Sequence, residues 1–211
     1  MKSKEYERLT KLKTFEGSLS NSGFKYIGGI DEVGRGPLAG PVLACCIIMP
    51  TDSVIEGIND SKKVSQKKRE RLFDVILDEC IDYGIGMADE KTIDSINILN
   101  ATHLAMKRSI ENMQIKPEYL LIDAEKLDHV DIPASSIIKG DSLSYNIACA
   151  SIIAKVTRDR IMVRYSHLYN TYKFEKNKGY GTAEHIAAIK KYGLCNIHRH
   201  SFCKHFTGEN V

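Results

Sequence analysis

Apolar residues fall along this chain in short runs, interrupted by polar segments that carry glycine and proline. Residues 24–33, FKYIGGIDEV, mix aromatic and β-branched side chains and predict a first strand, broken by Gly34, Gly36 and Gly40 with Pro37 and Pro41. The run 42–49 is almost continuously apolar, as expected of a strand covered on both faces. Ser65 stands where it can cap a helix ending near Cys80, with Leu72, Phe73, Ile76, Leu77 and Cys80 as its apolar stripe. Next come a short strand at 83–87, a helix over 96–113 and a compact strand at 119–122. In that helix Ile96, Leu99, Leu104 and Met106 are expected to turn inward. A strand at 132–138 and a long helix from Ser144 to about Tyr165 complete the core.

Strands followed by helices imply an α/β layer with a mixed or parallel sheet. We expect one domain: a core over 24–165, a peripheral arm or helix over 1–23 anchored by Leu9, Leu12 and Phe15, and a helical segment over 166–211 packed on the strand edge. Chemistry in such sheets gathers beyond the carboxyl ends of strands, where Asp31 and Asp123 fall.

Composition narrows the class. With 43% hydrophobic and 27% charged residues in 211, the chain is neither disordered nor a collagen-like or disulfide scaffold. No apolar stretch approaches a membrane span, and the start, MKSKEYERLTKLK, lacks the apolar run of a secretory signal. Six cysteines without a CxxC pair read as reduced thiols of an intracellular protein. The net charge of +3 is unevenly spread. Residues 1–154 carry 19 basic and 23 acidic groups, a net of −4, whereas 155–211 carry 11 and 4, a net of +7. An acidic body with a basic end suits a polyanionic ligand whose phosphates meet the basic surface while carboxylates hold cations.

The carboxylates sharpen this. Asp31 and Glu32 end an apolar strand before a glycine turn, Asp123 follows Leu120–Leu121–Ile122, and Asp141 sits in IIKGDS. A carboxylate beside a core strand costs several kcal/mol in desolvation unless a cation or dense hydrogen bonding offsets it. Gathered acids also repel one another, and hard oxygen ligands favour magnesium or manganese. Neighbouring strand side chains point to opposite faces, so Asp31 and Glu32 cannot both aim inward from an ideal strand, and one is expected to reach the site where the chain turns at Gly34.

The basic groups leave more open. Gly34-Arg35-Gly36 permits close ligand approach, but neither a GxGxxG fingerprint nor a GxxxxGK[ST] loop is present. Lys62 and Lys63 in DSKK are solvated charge or phosphate contacts. Lys155, Arg158 and Asp159 share a helical neighbourhood, as a surface ion-pair ladder or as a phosphate-facing group. Tyr180, after Lys176 and Lys178, suits stacking on a sugar or base. Without zinc-like spacing, the histidines of the tail, with Arg199 among them, are phosphate-facing or structural.

Taken together, GIDEVGRGPLAGPV at 29–42, NDSKK at 59–63, INILNAT at 96–102, LLIDA at 120–124, KGD at 139–141, ASIIAKVTRDR at 150–160, KGYGT at 178–182 and HRHSF at 198–202 resemble bacterial ribonuclease HII, the type 2 ribonuclease H, from Tyr26 to Phe202. The resemblance implies a ribonuclease H-like fold with a mixed central sheet and a C-terminal helical segment. It implies that Asp31, Glu32, Asp123 and Asp141 are the metal-binding catalytic acids, with Asp31 as the bridging ligand. It also implies that Gly34, Arg35 and Gly36 form the substrate-recognition loop and that Tyr180 stacks on the deoxyribose after the ribonucleotide. Lys62, Lys155, Arg158 and Arg199 are expected as phosphate contacts or supports for the site. Ala124 stands where the family commonly has glycine.

The activity implied by the resemblance is hydrolysis of the RNA strand of RNA/DNA hybrids, with incision 5′ to single ribonucleotides in duplex DNA. The expected mechanism uses two Mg2+ or Mn2+ ions and leaves 3′-hydroxyl and 5′-phosphate ends. A cytoplasmic monomer that acts on these nucleic acids, away from any membrane, is expected. The rivals are a related DNA nuclease and a non-catalytic nucleic-acid-binding module.

Overall fold

In the computed structural model, which describes residues 3–128 and 130–207, helices α1 (Ser3–Leu12) and α2 (Thr14–Asn21) lead into strands β1 (Ile27–Val33) and β2 (Val42–Ile48). Helix α3 (Gln66–Glu79), strand β3 (Asp82–Ala88), helix α4 (Glu90–Glu111) and strands β4 (Tyr119–Asp123) and β5 (Ala134–Ile137) come next. The long α5 (Tyr145–Leu168) precedes α6 (Phe174–Asn177), α7 (Ala183–Tyr192) and α8 (His200–Thr207). The extremes of the expected arm and tail, residues 1–2 and 208–211, lie outside the described residues.

One sheet in the order β3-β2-β1-β4-β5 organises the chain. β1 runs antiparallel to β2 and parallel to β4, so the sheet is mixed, as expected. Every residue of β2 is buried because both faces are covered. On one face Leu43, Cys45 and Ile47 pack with Leu9, Leu72, Ile76 and the apolar side of α5. On the other, Ile30, Val42, Ala44 and Cys46 meet Ala101, Ala105 and Met106 of α4. Burial at this scale stabilises by about 25 cal/mol per Å2 of apolar surface, which holds the central strands rigid. Among the described residues no helix is long and apolar enough to cross a membrane.

Gly29 sets where α5 crosses the sheet. A Cβ there would lie 2.3 Å from the backbone carbon of Asn146, so a side chain would push the helix off β1. Asn146 Nδ2 donates to the Ile27 carbonyl at 2.7 Å and closes the crossing.

Three local expectations change. Helix α4 begins at Glu90, where Asp89 caps it by accepting from the Thr92 amide, and breaks at Asn97, whose φ of 64° and ψ of 168° are not helical. That break turns the helix out of its expected phase, so Leu99 faces outward while Met106 is fully buried. In the arm Leu9 and Leu12 join the core, but Phe15 is exposed and Glu16 takes the buried place. Glu16 Oε1 accepts from Ser144 Oγ at 2.5 Å and from the Asn146 amide at 2.9 Å, capping α5 from a separate segment. Ser65 does precede α3 but makes no capping bond.

The C-terminal helices build their own apolar cluster of Ala39, Met162, Tyr172, Phe174, Ile189, Ile197 and Cys203. Ala39 belongs to the glycine loop after β1. The tail is thereby packed against the loop that follows the first acids.

Candidate active site

Asp31 and Glu32 both lie inside β1, paired with Cys45 and Ala44 of β2. Alternation places Asp31 on the α5 face with Gly29 and Val33, and Glu32 on the α4 face with Ile30. The strand does not turn to gather the two, as the sequence suggested it would. Instead Asp123, ending the adjacent parallel strand β4, brings its charge to bear on both.

Asp141 arrives on a single helical turn, Gly140–Ser142, just before α5. The Gly140 amide donates to Asp123 Oδ1 at 2.6 Å, which ties the third acid to the turn that carries the fourth. The bends beside both acids are left-handed, Ala124 at φ 52° and Lys139 at φ 60°. Non-glycine residues rarely hold that conformation, and such positions concentrate at functional sites.

The acids act on one another electrostatically, Asp31 feeling the other three. Burial pushes the Asp31 pKa well above the ordinary carboxylate range, and the charges of Glu32, Asp123 and Asp141 push it further, against a hydrogen bond from Ser151. Glu32 is raised by burial and by Asp123 and Glu125, with Arg35 opposing. Asp123 is raised by burial, against the Gly140 amide and Lys62. Asp141 is raised by burial, then by Asp60 and Asp123. Burial works to lower the Lys62 pKa, but Asp141, Asp31, Asp60 and Asp123 outweigh it and hold the ammonium charged.

This arrangement suits a divalent cation. The donors are hard carboxylate oxygens, their mutual repulsion is what a cation relieves, and Glu32 Oε2 is buried with no hydrogen-bond partner among the described residues. As the side chains stand, no three His, Cys, Asp or Glu residues among the described residues converge closely enough to hold a metal ion.

The glycine loop is braced from behind. Arg199 is fully buried and donates to the carbonyls of Gly34 at 2.6 Å, Arg35 at 2.9 Å and Gly40 at 2.9 Å. Arg158, also fully buried, donates to Pro41 at 2.9 Å, Lys178 at 2.9 Å and Ala39 at 3.2 Å. Of the two roles expected of these arginines, phosphate contact or support for the site, the bonds favour support: each guanidinium donates to three backbone carbonyls. At Gly34 (φ 95°) a Cβ would meet Arg158 Nε at 2.3 Å, so conformation and packing both require glycine. Gly36 is open to its surroundings, where a Cβ would meet nothing within 4 Å.

Lys155 pairs with Asp159 at 2.8 Å, the ion pair its spacing allowed, and its Nζ stands 5.9 Å from the Tyr180 ring. Arg158 approaches the same ring at 5.9 Å. Tyr180 itself is 41% exposed. The Arg35 side chain is bound by Glu125 and lies 3.6 Å from Glu32, and His103 Nε2 reaches Glu125 at 3.3 Å. Glu125, His103, Asp60 and Ser151 are therefore site residues that sequence reasoning did not single out. Asp60 and Ser151 lie within motif blocks and His103 and Glu125 directly after them, which is the signal the sequence offered.

Comparison with known proteins points the same way. The family model for ribonuclease HII matches residues 28–205. The ribonuclease HII of Acetivibrio thermocellus is 56% identical over 203 residues, covering 96% of this chain and 79% of that protein. Among solved structures, the ribonuclease H2 of Pyrococcus horikoshii superimposes with a TM-score of 0.70 at 24% identity, over 88% of this chain and all of that one. Bst-RNase HIII in complex with Mn2+ gives a TM-score of 0.59 at 17% identity, over 81% of this chain and 64% of that one. Likeness at these low identities speaks for the fold.

Proposed function

The chain belongs to the ribonuclease HII family and is a ribonuclease H acting on RNA/DNA hybrids, and from that premise we propose that it also incises 5′ to single ribonucleotides embedded in duplex DNA. The observation that carries the mechanism is that Asp31 is buried and feels the charges of Glu32, Asp123 and Asp141, while a Glu32 oxygen is buried with no hydrogen-bond partner among the described residues. These four would hold the divalent ions, two Mg2+ or Mn2+ in this reading, with Asp31 as the central ligand. When bound, such ions lower the pKa of an attacking water and neutralise charge on the departing 3′ oxygen.

The chain's own groups do the rest. The four acids must be ionised to serve, so activity falls in acid and favours mildly alkaline solution. Lys62, held cationic by the acids, meets the phosphate side of the site. Gly34, Arg35 and Gly36 present backbone to one 2′-hydroxyl, which both donates and accepts. Arg199 occupies the carbonyls of Gly34 and Arg35, so the turn keeps one shape while it reads that hydroxyl. The exposed Tyr180 ring stacks on the following deoxyribose, with Lys155 beside it. In this reading the enzyme works as a monomer in the cytoplasm.

The test is end-labelled duplex DNA with one internal ribonucleotide, incubated with each metal beside all-DNA and RNA/DNA controls. A cut on the 5′ side of the ribonucleotide, leaving a 3′-hydroxyl and sparing all-DNA, is expected. Equal cutting of all-DNA duplex would make the protein a general DNA nuclease on this carboxylate scaffold.

A further inference from the structure

Behind the Tyr180 turn two buried histidines stand nitrogen to nitrogen, His185 Nε2 and His198 Nε2 being 3.0 Å apart. Their protons can be placed from both ends of the chain they form. The Cys195 amide can only donate, and it points at His198 Nδ1 from 2.9 Å, so that nitrogen accepts. A neutral His198 then carries its proton on Nε2 and donates to His185. His185 Nε2 accepts, which leaves its proton on Nδ1, 2.9 Å from the Tyr180 carbonyl. A carbonyl can only accept, so the far end demands the same assignment.

The surroundings keep both rings neutral. Tyr172 and Phe174 pack edge-on or tilted against them, the Cys195 thiol lies 3.1 Å from His198 Nδ1, and His200 adds a charge-disfavouring neighbour. Burial lowers the pKa of both, His198 to about 4. All four ring nitrogens are engaged, and no lone pair remains for a proton without breaking a bond in the chain. The Tyr180 carbonyl also accepts from the Thr182 amide at 2.8 Å, while its own amide donates to Asn177 at 2.9 Å. The residue is thus pinned on both peptide faces.

We propose that His198 and His185 are positioning residues for junction recognition, forming a one-directional relay from the Cys195 amide to the Tyr180 carbonyl that fixes where the exposed Tyr180 ring stands. The proposal rests on the reading of Tyr180 as the sugar-stacking residue. It goes beyond that reading by assigning its placement to two residues that touch no substrate.

Two variants of His185 split the relay. In His185→Asn the amide nitrogen falls near the position of Nδ1 and retains the bond to the Tyr180 carbonyl. In His185→Gln the amide reaches His198 and abandons that carbonyl. We expect His185→Gln to lose about fivefold in preference for a single embedded ribonucleotide over uniform hybrid, the effect of one neutral hydrogen bond, and to lose it in KM more than kcat. His185→Asn should restore most of that preference. If Tyr180→Ala loses the preference and His185→Gln keeps it, the relay is wrong and the stacking role stands. If Tyr180→Ala keeps the preference, the stacking role itself fails. Ring nitrogen shifts of the wild-type protein provide a readout free of any folding defect. His198 should be protonated on Nε2 and His185 on Nδ1 from pH 6 to 8, and the opposite tautomer at either ring overturns the proposal.

Discussion

Arg199 lies 165 positions from Gly34 in the chain, yet its guanidinium donates to the Gly34 carbonyl at 2.6 Å from a fully buried site. No carboxylate pairs with it among the described residues, and burial lowers its pKa to about 9, so it remains cationic at neutral pH. A buried cation satisfied by carbonyls is a tight brace, because removing it strands all three acceptors. Arg199→Ala should destabilise the protein by about 3 kcal/mol or more, measured by urea unfolding. Arg199→Lys, with one ammonium for three carbonyls, should recover less than half.

Asp31 is a buried acid whose folded pKa is raised by burial and then by Glu32, Asp123 and Asp141. For such a group the folded state binds the proton more tightly than the unfolded chain. Its contribution is therefore favourable below the ordinary carboxylate pKa and is lost as pH rises through the folded value. In chelator, the melting temperature should fall as pH rises above about 4, and Mg2+ or Mn2+ should restore it at pH 8 by binding the folded state. Asp31→Asn should flatten that slope and raise stability in chelator by roughly 1 kcal/mol, while cleavage drops by at least about a thousandfold and hybrid binding persists. A variant that cleaves normally at saturating magnesium would remove Asp31 from the site.

Ala124 holds φ 52° directly after Asp123. A Cβ in that conformation costs about 1–2 kcal/mol. Ala124→Gly should stabilise by roughly 1 kcal/mol in urea titrations, with the entropy of the freer unfolded chain taking back part of the gain.

Glu16 and Phe15 offer a paired test of the arm. Glu16 caps α5 through Ser144 and Asn146, three and five residues past Asp141, whereas Phe15 is exposed. Glu16→Ala should cost about 2 kcal/mol and Phe15→Ala less than about 0.5, read from thermal or urea unfolding. The opposite order would show that the arm is held by its apolar side chain.

These residues also mark what a sequence reader can and cannot see. β2 announces itself because eight nearly unbroken apolar residues admit few other fates, and the acids stand out because a carboxylate against such a strand needs a reason. For Arg158 and Arg199 the sequence leaves phosphate contact and support for the site equally open, because an arginine in a basic tail fits either. Only partners more than a hundred residues away favour support. Nothing in the charged arm marks out Glu16, and Glu125 and His103 acquire meaning only when Glu125 meets Arg35 and His103 in the fold. Long-range pairing of polar groups leaves no period to read.

The single Arg158 guanidinium, shared by Ala39, Pro41 and Lys178, makes the glycine turn and the Tyr180 turn one mechanical part. Grafting either loop alone onto another scaffold would carry its letters without its shape. If the proposed junction recognition holds, the smallest transferable unit is three distant stretches of chain with the arginine that knots them.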